Sequence, residues 1–321
     1  MNSKPIIIAH GEPNSVFLEI FFKSLISKKF KNPLILVCSQ KLLKFQMKKL
    51  KFKMSIKILN LSTLNKVKLN NKTINVIDIN YNENLVFQRI SNKSNKYIKE
   101  CFEISLQILK SNITNKFING PISKNSFLNK KFLGITEYLV KKTGVDQNAM
   151  LIYNKKLSVC PITTHLPLKS VVKNINKNKI INKIILINNF YKKCLGFKPK
   201  IAVLGLNPHC ESVDKFNEDE KIVKPAIKYL IKKKINVKGP YSADTAFLMK
   251  NRKNFDVIVG MYHDQVLTPI KTLYEYDAIN LTLGLPFIRI SPDHGPNHKM
   301  LGQNKSNPLS LLRAIEFLEK H

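Results

Sequence analysis

Three histidines lie at equivalent positions in the sequence, each directly after a run of apolar residues that is typical of a β-strand. They are His165 in CPITTHLPL, His209 in VLGLNPHCES and His263 in VGMYHDQ. A single histidine at such a junction is more often structural than a ligand. Three neutral imidazoles from separate loops, however, are a good ligand set for one Zn²⁺ or similar ion and leave positions open for a substrate. The histidines therefore predict a divalent metal site.

Two aspartates stand out in a chain that is poor in acidic residues. Asp264 directly follows His263, and Asp244 lies in the segment GPYSADTAF. A carboxylate beside a metal-binding imidazole can orient it, and either aspartate could instead contact a cationic group of a substrate. The alternative is structural, above all for Asp244, because an aspartate before a helical segment often caps that helix.

Arginine is rare in this chain, and one arginine lies in an apolar segment. Only four of the 54 basic residues are arginines, and Arg289 is surrounded by LGLPFIRIS. A buried guanidinium requires an anion, and its fork fits a phosphate or a carboxylate. Lys271 and Asn280 lie on the preceding segments. Thr136, in GITE, stands at a helix start, where backbone N–H groups can bind a phosphate; its alternative role is helix capping.

Strand-like apolar runs alternate with helix-period segments along the whole chain. Strands are predicted near 5–9, 33–38, 74–79, 116–119, 156–164, 201–206, 257–261 and 279–283, and helices near 17–27, 97–109, 179–191, 221–234, 243–250 and 308–320. This alternation is typical of an α/β fold with a mostly parallel sheet. Ligands bind beyond the carboxyl ends of strands in such sheets. Since GxGxxG and GxxxxGK[ST] are absent, neither a standard Rossmann dinucleotide site nor a P-loop is predicted.

The composition indicates a globular protein with a basic surface. The 321 residues are 44% hydrophobic and 23% charged, and 54 basic against 21 acidic residues give a net charge of +33. Most of these cations are lysines, which share A/T-rich codons with the abundant Asn and Ile. Arginine forks and aromatic platforms, which nucleic-acid readers favour, are scarce. A solvated lysine surface is therefore favoured over a polyanion-binding face.

Cysteine usage and hydropathy point to a reducing compartment. The five scattered cysteines contain no CxxC spacing, so neither a disulfide framework nor a zinc knuckle is predicted. No apolar run approaches the ~20 residues of a membrane span, and the first residues contain no signal-peptide core. We expect a cytoplasmic protein.

Eight segments resemble, in sequence and in order, those of 4-hydroxythreonine-4-phosphate dehydrogenases, enzymes of the vitamin B6 pathway. The segments are GPISK, GITEYL, TTHLPL, GLNPH, GPYSADTAF, MYHDQ, INLTLGLPFIRISPDHG and NPLSLLRAI. The resemblance implies the two-domain α/β fold of isocitrate and isopropylmalate dehydrogenases, with mostly parallel sheets and a cleft between the domains. The first domain would comprise 1–125 and 275–321, and the second 126–274.

The resemblance also implies a role for individual residues. It implies a homodimer whose active sites are shared across the interface, with NAD or NADP as cofactor and one divalent ion (Zn, Mg or Co) bound by histidines of both subunits. The implied metal ligands are His165, His209 and His263. The implied substrate contacts are Thr136, Lys271, Asn280 and Arg289. The implied catalytic residues are Asp244 and Asp264, and the implied cofactor contacts are His294, Gly295 and Asn297.

Three positions depart from the family pattern. Ile135 stands where a substrate-contacting histidine is usual, which removes a hydrogen-bond donor. The glycine-rich GEPAGIG turn is here GEPNSV at 11–16. In the cofactor loop the family has HGTA followed by an acid, whereas this chain has HGPNHK at 294–299. Lys299 therefore places a cation where an acid is usual.

The resemblance implies NAD(P)-dependent oxidation of 4-phosphooxy-L-threonine to 2-amino-3-oxo-4-phosphooxybutanoate, which decarboxylates to 3-amino-2-oxopropyl phosphate in pyridoxal phosphate biosynthesis. Ile135 keeps open an alternative, a related dehydrogenase for another phosphorylated hydroxy acid such as a phospho-threonate or phospho-erythronate. A remote alternative of a different class, a non-catalytic polyanion-binding protein, depends on the net charge of +33 alone.

Overall fold

The computed structural model of the chain describes residues 4–81, 87–123, 126–128, 132, 134–292 and 294–321. Two residues of the motifs, Lys124 of GPISK and Asp293 of ISPDHG, lie outside these ranges. In the described part of the chain, no helix is long and apolar enough to cross a membrane.

Strands and helices alternate, as the sequence predicts for an α/β protein. The strands are β1 (Ile6–Ala9), β2 (Leu34–Cys38), β3 (Ile56–Ile58), β4 (Ile74–Asp78), β5 (Lys116–Asn119), β6 (Ala149–Tyr153), β7 (Ser158–Pro161), β8 (Ile201–Leu204), β9 (Val237–Tyr241), β10 (Val257–Gly260), β11 (Ile279–Leu283) and β12 (Ile288–Pro292). The helices are α1 (Phe17–Ser27), α2 (Gln40–Lys49), α3 (Asn95–Lys110), α4 (Ile135–Thr143), α5 (Leu168–Asn174), α6 (Lys177–Phe190), α7 (Lys224–Lys232), α8 (Ala243–Ala246), α9 (Met249–Arg252), α10 (His263–Tyr274) and α11 (Leu309–Lys320).

The chain divides into two compact units. Unit 1 comprises residues 1–142 and 286–321, and unit 2 comprises residues 143–285. The predicted domain boundaries, after 125 and after 274, fall earlier along the chain. At the first boundary the difference arises because α4 packs on unit 1, where the Tyr138 ring contacts Phe102 in α3 with a centroid distance of 6.0 Å.

Unit 1 contains a fully parallel set of strands in the order β3-β4-β2-β1-β5-β12. Strands β1, β2 and β5 are buried along their whole length, which explains why β1 appears as a continuous apolar run, IIIA. In the register of β5 and β12, Arg289 is paired with Phe117. This register brings Arg289 close to Asn119, the last residue of β5.

Unit 2 contains strands in the order β11-β6-β7-β10-β8-β9. The pairs β7–β10, β10–β8 and β8–β9 are parallel, whereas β6 runs antiparallel to both β11 and β7. The predicted α/β class with mostly parallel strands is confirmed. The strand at β6 and its antiparallel pairing were not predicted.

Helix α10 positions the MYHDQ segment. Val266 and Ile270, one turn apart, are buried in the unit 2 core with Ile258 of β10 and Val159 of β7. Burial of this face fixes the helix, so that its first residue, His263, lies just beyond the carboxyl end of β10.

One predicted helix, over 243–250, is wrong in its extent. The segment forms two short helices, α8 and α9, which are separated at Leu248. Leu248 has an extended ψ of 142°, and its carbonyl accepts hydrogen bonds from the N–H groups of Asn251 and Arg252. Leu248 therefore begins a new helix rather than continuing the first one.

Candidate active site

Two of the three predicted metal ligands lie side by side in unit 2. His165 follows β7 and His263 is the first residue of α10, and their ring centroids are 5.9 Å apart with the planes tilted by 40°. Because a Zn–N bond is about 2.0–2.1 Å long, two imidazoles at this separation can reach one ion between them. The parallel strands β7 and β10 are neighbours, which explains why these two loops meet.

Asp264 is the residue that orients the His263 ring. Nδ1 of His263 lies 2.6 Å from Oδ1 of Asp264, and the carboxylate is the acceptor. This contact places the ring proton on Nδ1 and leaves the Nε2 lone pair for a metal ion. The side chain of His263 is 35% exposed and that of Asp264 is 79% exposed, so both can be approached from solvent.

His209 lies in a tightly constrained turn after β8. Its φ of 54° and that of Cys210, 62°, are both in the left-handed region that non-glycine residues seldom adopt. Among the residues that the structure describes, no group of three or more His, Cys, Asp or Glu side chains is arranged to hold a metal ion. The described residues thus bring together two imidazoles, His165 and His263, and one carboxylate, Asp264.

Arg289 forms the centre of a second cluster, in unit 1. Its Nε donates to Oδ1 of Asn119 at 2.7 Å, and its Nη1 donates to Oγ1 of Thr136 at 3.1 Å. Arg289 is 0% exposed, and desolvation lowers its pKa to about 10, a shift that the carboxylate of Glu137 opposes. The guanidinium therefore remains charged at neutral pH, held against the first turn of α4.

Lys271 and Asn280 lie in unit 2, on α10 and β11 respectively. Desolvation lowers the pKa of Lys271, which is half-buried. Oδ1 of Asn280 is buried and has no hydrogen-bond partner among the described residues. A buried acceptor without a donor costs free energy, so Asn280 is suited to a ligand that brings an N–H or O–H group.

Asp244 lies in the first turn of α8 and is exposed. The residue at the N-cap position is Ser242, so Asp244 is not the helix cap that the alternative interpretation of the sequence suggested. Asp244 is thus available to solvent and to a ligand.

The three candidate cofactor residues lie in the loop after β12. His294 Nδ1 donates to the carbonyl oxygen of Gly295 at 2.9 Å, and Asn297 adopts a left-handed conformation with φ of 49°. A Cβ atom on Gly295 would meet nothing within 4 Å, so that the backbone there is open to a ligand. Lys299 is exposed nearby. The loop is anchored by the N–H of Val16, which donates to the carbonyl of Pro296 at 3.2 Å.

Sequence reasoning missed several residues that shape these clusters. Asn119 orients Arg289, and Gln265 and Asp219 hold the loops of the candidate metal ligands. Their positions were a usable signal, since Asn119 ends a strand and Gln265 lies two residues after His263. A buried polar pair at the end of β1 was also missed: His10 Nδ1 lies 2.8 Å from the hydroxyl of Tyr97.

Comparison with known proteins identifies the family. A family model described as pyridoxal phosphate biosynthetic protein PdxA matches residues 29–318. The 4-hydroxythreonine-4-phosphate dehydrogenase of Sulfurihydrogenibium sp. is 38% identical over 317 residues, which cover 97% of this chain and 96% of the relative. The D-threonate 4-phosphate dehydrogenase of Pectobacterium atrosepticum is 33% identical over 219 residues, 67% of each chain.

A solved structure agrees with these sequence relationships. The crystal structure of 4-hydroxythreonine-4-phosphate dehydrogenase from Klebsiella pneumoniae superposes with a TM-score of 0.86 at 28% identity and covers 99% of both chains. The resemblance drawn from the eight motifs is therefore confirmed along nearly the whole chain. This protein belongs to the PdxA family of pyridoxal phosphate biosynthetic proteins.

Proposed function

We propose that the protein is a metal-dependent NAD(P) dehydrogenase that oxidises 4-phosphooxy-L-threonine to 2-amino-3-oxo-4-phosphooxybutanoate. The C3 hydrogen leaves as hydride to the nicotinamide and the hydroxyl loses its proton. The resulting β-keto acid then loses CO₂ and yields 3-amino-2-oxopropyl phosphate. Membership of the PdxA family supports a dehydrogenase of pyridoxal phosphate biosynthesis.

The observation that carries the proposal is the buried Arg289–Thr136 pair. Because Oγ1 of Thr136 accepts a hydrogen bond from Arg289, the hydroxyl hydrogen of Thr136 remains to donate to a substrate phosphate. The adjacent guanidinium charge strengthens this donor and attracts the phosphate dianion. Binding the phosphate, which does not react, orients the carbon that does.

The unit 2 residues are proposed to act on the reacting end of the substrate. His165 and His263 would hold the metal, with His263 oriented by Asp264. When bound, the metal supplies Lewis-acid activation of the hydroxyl and the nicotinamide supplies the hydride acceptor. The unpartnered Oδ1 of Asn280 accepts a hydrogen bond from the substrate, and Lys271, whose pKa is lowered by burial, contributes a positive charge.

The remaining assignments follow from the family. His294, Gly295 and Asn297 are proposed to contact the cofactor, for which the open backbone at Gly295 leaves room. Asp244 is proposed as a catalytic residue because it is an exposed carboxylate in an acid-poor chain. We further propose a cytoplasmic homodimer in which the partner subunit completes the metal site, since one chain supplies no complete ligand set in its described residues.

Ile135 favours a second candidate, oxidation of D-threonate 4-phosphate. This residue begins α4 and directly precedes Thr136, so its half-buried side chain is next to the proposed phosphate donor. A relative with 33% identity is named for that substrate. The two substrates share the phosphate and the carboxylate but differ in whether C2 bears an amino or a hydroxyl group.

The test is NAD(P) reduction by the purified protein with a panel of substrates and ions. 4-Phosphooxy-L-threonine, D-threonate 4-phosphate and D-erythronate 4-phosphate are each assayed with NAD and with NADP, in the presence of Zn²⁺, Mg²⁺ or Co²⁺. Preferential turnover of 4-phosphooxy-L-threonine, with a chelator abolishing the rate, supports the first proposal. Higher kcat/KM for a threonate phosphate supports the second, and no turnover of any substrate contradicts both.

A further inference from the structure

A single side chain joins the two loops that lead to His209 and His263. Gln265 Nε2 donates to the carbonyl oxygen of Gly205 at 2.8 Å, just after β8. Its Oε1 accepts from the backbone N–H of Met261 at 2.6 Å, just after β10. Both groups of one carboxamide are thus used, one just after each of two neighbouring parallel strands. Gly205 lies four residues before His209, and Met261 lies two before His263.

A buried carboxylate holds the His209 loop from its other side. Asp219 is 0% exposed, and its two oxygens accept from the backbone N–H groups of Leu206 at 2.7 Å and Asn207 at 3.0 Å. These contacts matter because His209 and Cys210 are both left-handed. A non-glycine residue in that region costs roughly 1–2 kcal/mol, so the turn persists only while its surroundings hold it.

The space around the bridge is closely fitted. A Cβ atom on Gly260 would lie 2.9 Å from Oε1 of Gln265 and 2.5 Å from Cγ1 of Val266. A Cβ atom on Gly205 would lie 2.6 Å from Sγ of Cys210. Glycine at both strand ends therefore allows the Gln265 carboxamide and the turn to occupy this volume together.

We infer that Gln265 is a positioning residue for the metal site: its carboxamide fixes the loop of His209 relative to that of His263, while touching neither ion nor substrate. The inference depends on the proposed function, in which both histidines are ligands. The inference holds whether the two histidines bind one ion or belong to two sites of a dimer. In either case the positions of the two loops determine where the imidazoles lie.

The test replaces the bridge with a side chain of similar length that forms no such hydrogen bonds. Gln265→Met is compared with wild type and with Gln107→Met, the same change at an exposed position on α3. Co²⁺ affinity of the full-length apoprotein is measured by titration, and the visible absorption of the bound Co²⁺ reports ligand geometry. We expect at least tenfold weaker Co²⁺ binding and an altered absorption band in Gln265→Met, and wild-type values in Gln107→Met.

A second variant separates positioning from general stability. Gln265→Glu keeps the acceptor for Met261 but loses the amide donor to Gly205, so we expect weaker Co²⁺ binding with a native circular dichroism spectrum. Wild-type Co²⁺ affinity and absorption in both variants would overturn the inference and leave the proposed function intact. Failure of the wild-type protein itself to bind Co²⁺ would overturn the proposed metal function, and the inference with it.

Discussion

The guanidinium of Arg289 is fixed by Asn119, whose Oδ1 accepts a 2.7 Å hydrogen bond from Nε although the two residues are 170 positions apart. The amide of Asn119 cannot flip without loss, because its Nδ2 donates to the carbonyl of Gly120 at 2.9 Å. Nε is thereby occupied, and Nη1 is directed to Thr136. A residue at the end of β5 thus determines how the β12 arginine meets α4.

Asn119→Ala should release Arg289 from this orientation. A hydrogen bond to a charged group is worth about 1.5–3 kcal/mol, so we expect kcat/KM for the phosphorylated substrate to fall by about ten- to a hundredfold, mainly through KM. The matched control is Asn75→Ala in β4, which also removes a buried amide that bonds to backbone carbonyls. Asn75→Ala should lower the melting temperature without raising KM. If KM rises equally in both variants, the effect of Asn119→Ala is a general loss of stability rather than a loss of phosphate binding.

Arg289→Lys tests the guanidinium itself. Lysine keeps the positive charge but cannot donate in two fixed directions to Asn119 and Thr136. We expect binding of the phosphorylated substrate to weaken by about 1–3 kcal/mol. The measurement is KM with and without the substrate phosphate. An unchanged kcat/KM would remove Arg289 from the site.

Subunit mixing tests how the metal ligands are shared. His165 lies beside His263 of its own chain, so these two imidazoles come from one subunit. This pairing favours His209 as the ligand across the interface. Inactive His209→Ala and inactive His263→Ala chains, once mixed, should recover part of the activity, because a hybrid dimer then has one intact site. A mixture of His165→Ala and His263→Ala should recover none, and the reverse result would identify His165 as the ligand across the interface.

Ile135→His tests the departure at the start of α4. If the pocket is a weakened site for 4-phosphooxy-L-threonine, a new donor beside Thr136 should lower KM for that substrate by about tenfold or more. KM is measured in parallel for D-threonate 4-phosphate. If KM falls for neither substrate and the wild-type protein already prefers D-threonate 4-phosphate, the second candidate function is favoured.

The buried His10 makes stability depend on pH. Burial lowers its pKa to about 3, against 6.5 for the free side chain. Above pH 6.5 both folded and unfolded states are neutral there, and stability is full. As pH falls from 6.5 towards 3, the unfolded state binds a proton that the folded state excludes, so stability drops by about 1.4 kcal/mol per pH unit from this group.

Chemical unfolding between pH 7 and 4 measures this effect. His10→Gln, which does not titrate, should show a shallower loss of unfolding free energy than wild type. Glu12 acts in the opposite sense, since burial raises its pKa, but it is present in both proteins and cancels in the comparison. If the unfolding free energy of wild type and His10→Gln falls with pH at the same rate, His10 is not the source of the pH dependence.

The sequence predicted the fold class and most strands because buried parallel strands appear as apolar runs, as in β1 and β2. It missed β3, β6, β9 and β12, although β6 is itself an apolar run, AMLIY, and it missed the break at Leu248. The three histidines and Arg289 were found because histidine at a strand end and arginine in an apolar segment are chemically unusual, whereas the cofactor contacts came from the family resemblance. Asn119 and Gln265 lie near strand ends, which was a usable signal. Their hydrogen-bond partners, however, lie on or just after neighbouring strands, and only the register of the sheet identifies them.

Unit 1 is formed by two stretches that are distant in sequence, because residues 143–285, which separate them along the chain, form unit 2. During synthesis the ribosome therefore finishes residues 143–285 before the last strand of unit 1 exists. Domains generally fold as units as they emerge, so the five earlier strands of unit 1 await β12, while β5 exposes the edge that β12 will cover. Arg289 arrives with that final strand. The proposed phosphate site is thus among the last parts of the protein to form. A translation product that ends before β12 lacks Arg289 and cannot form this site.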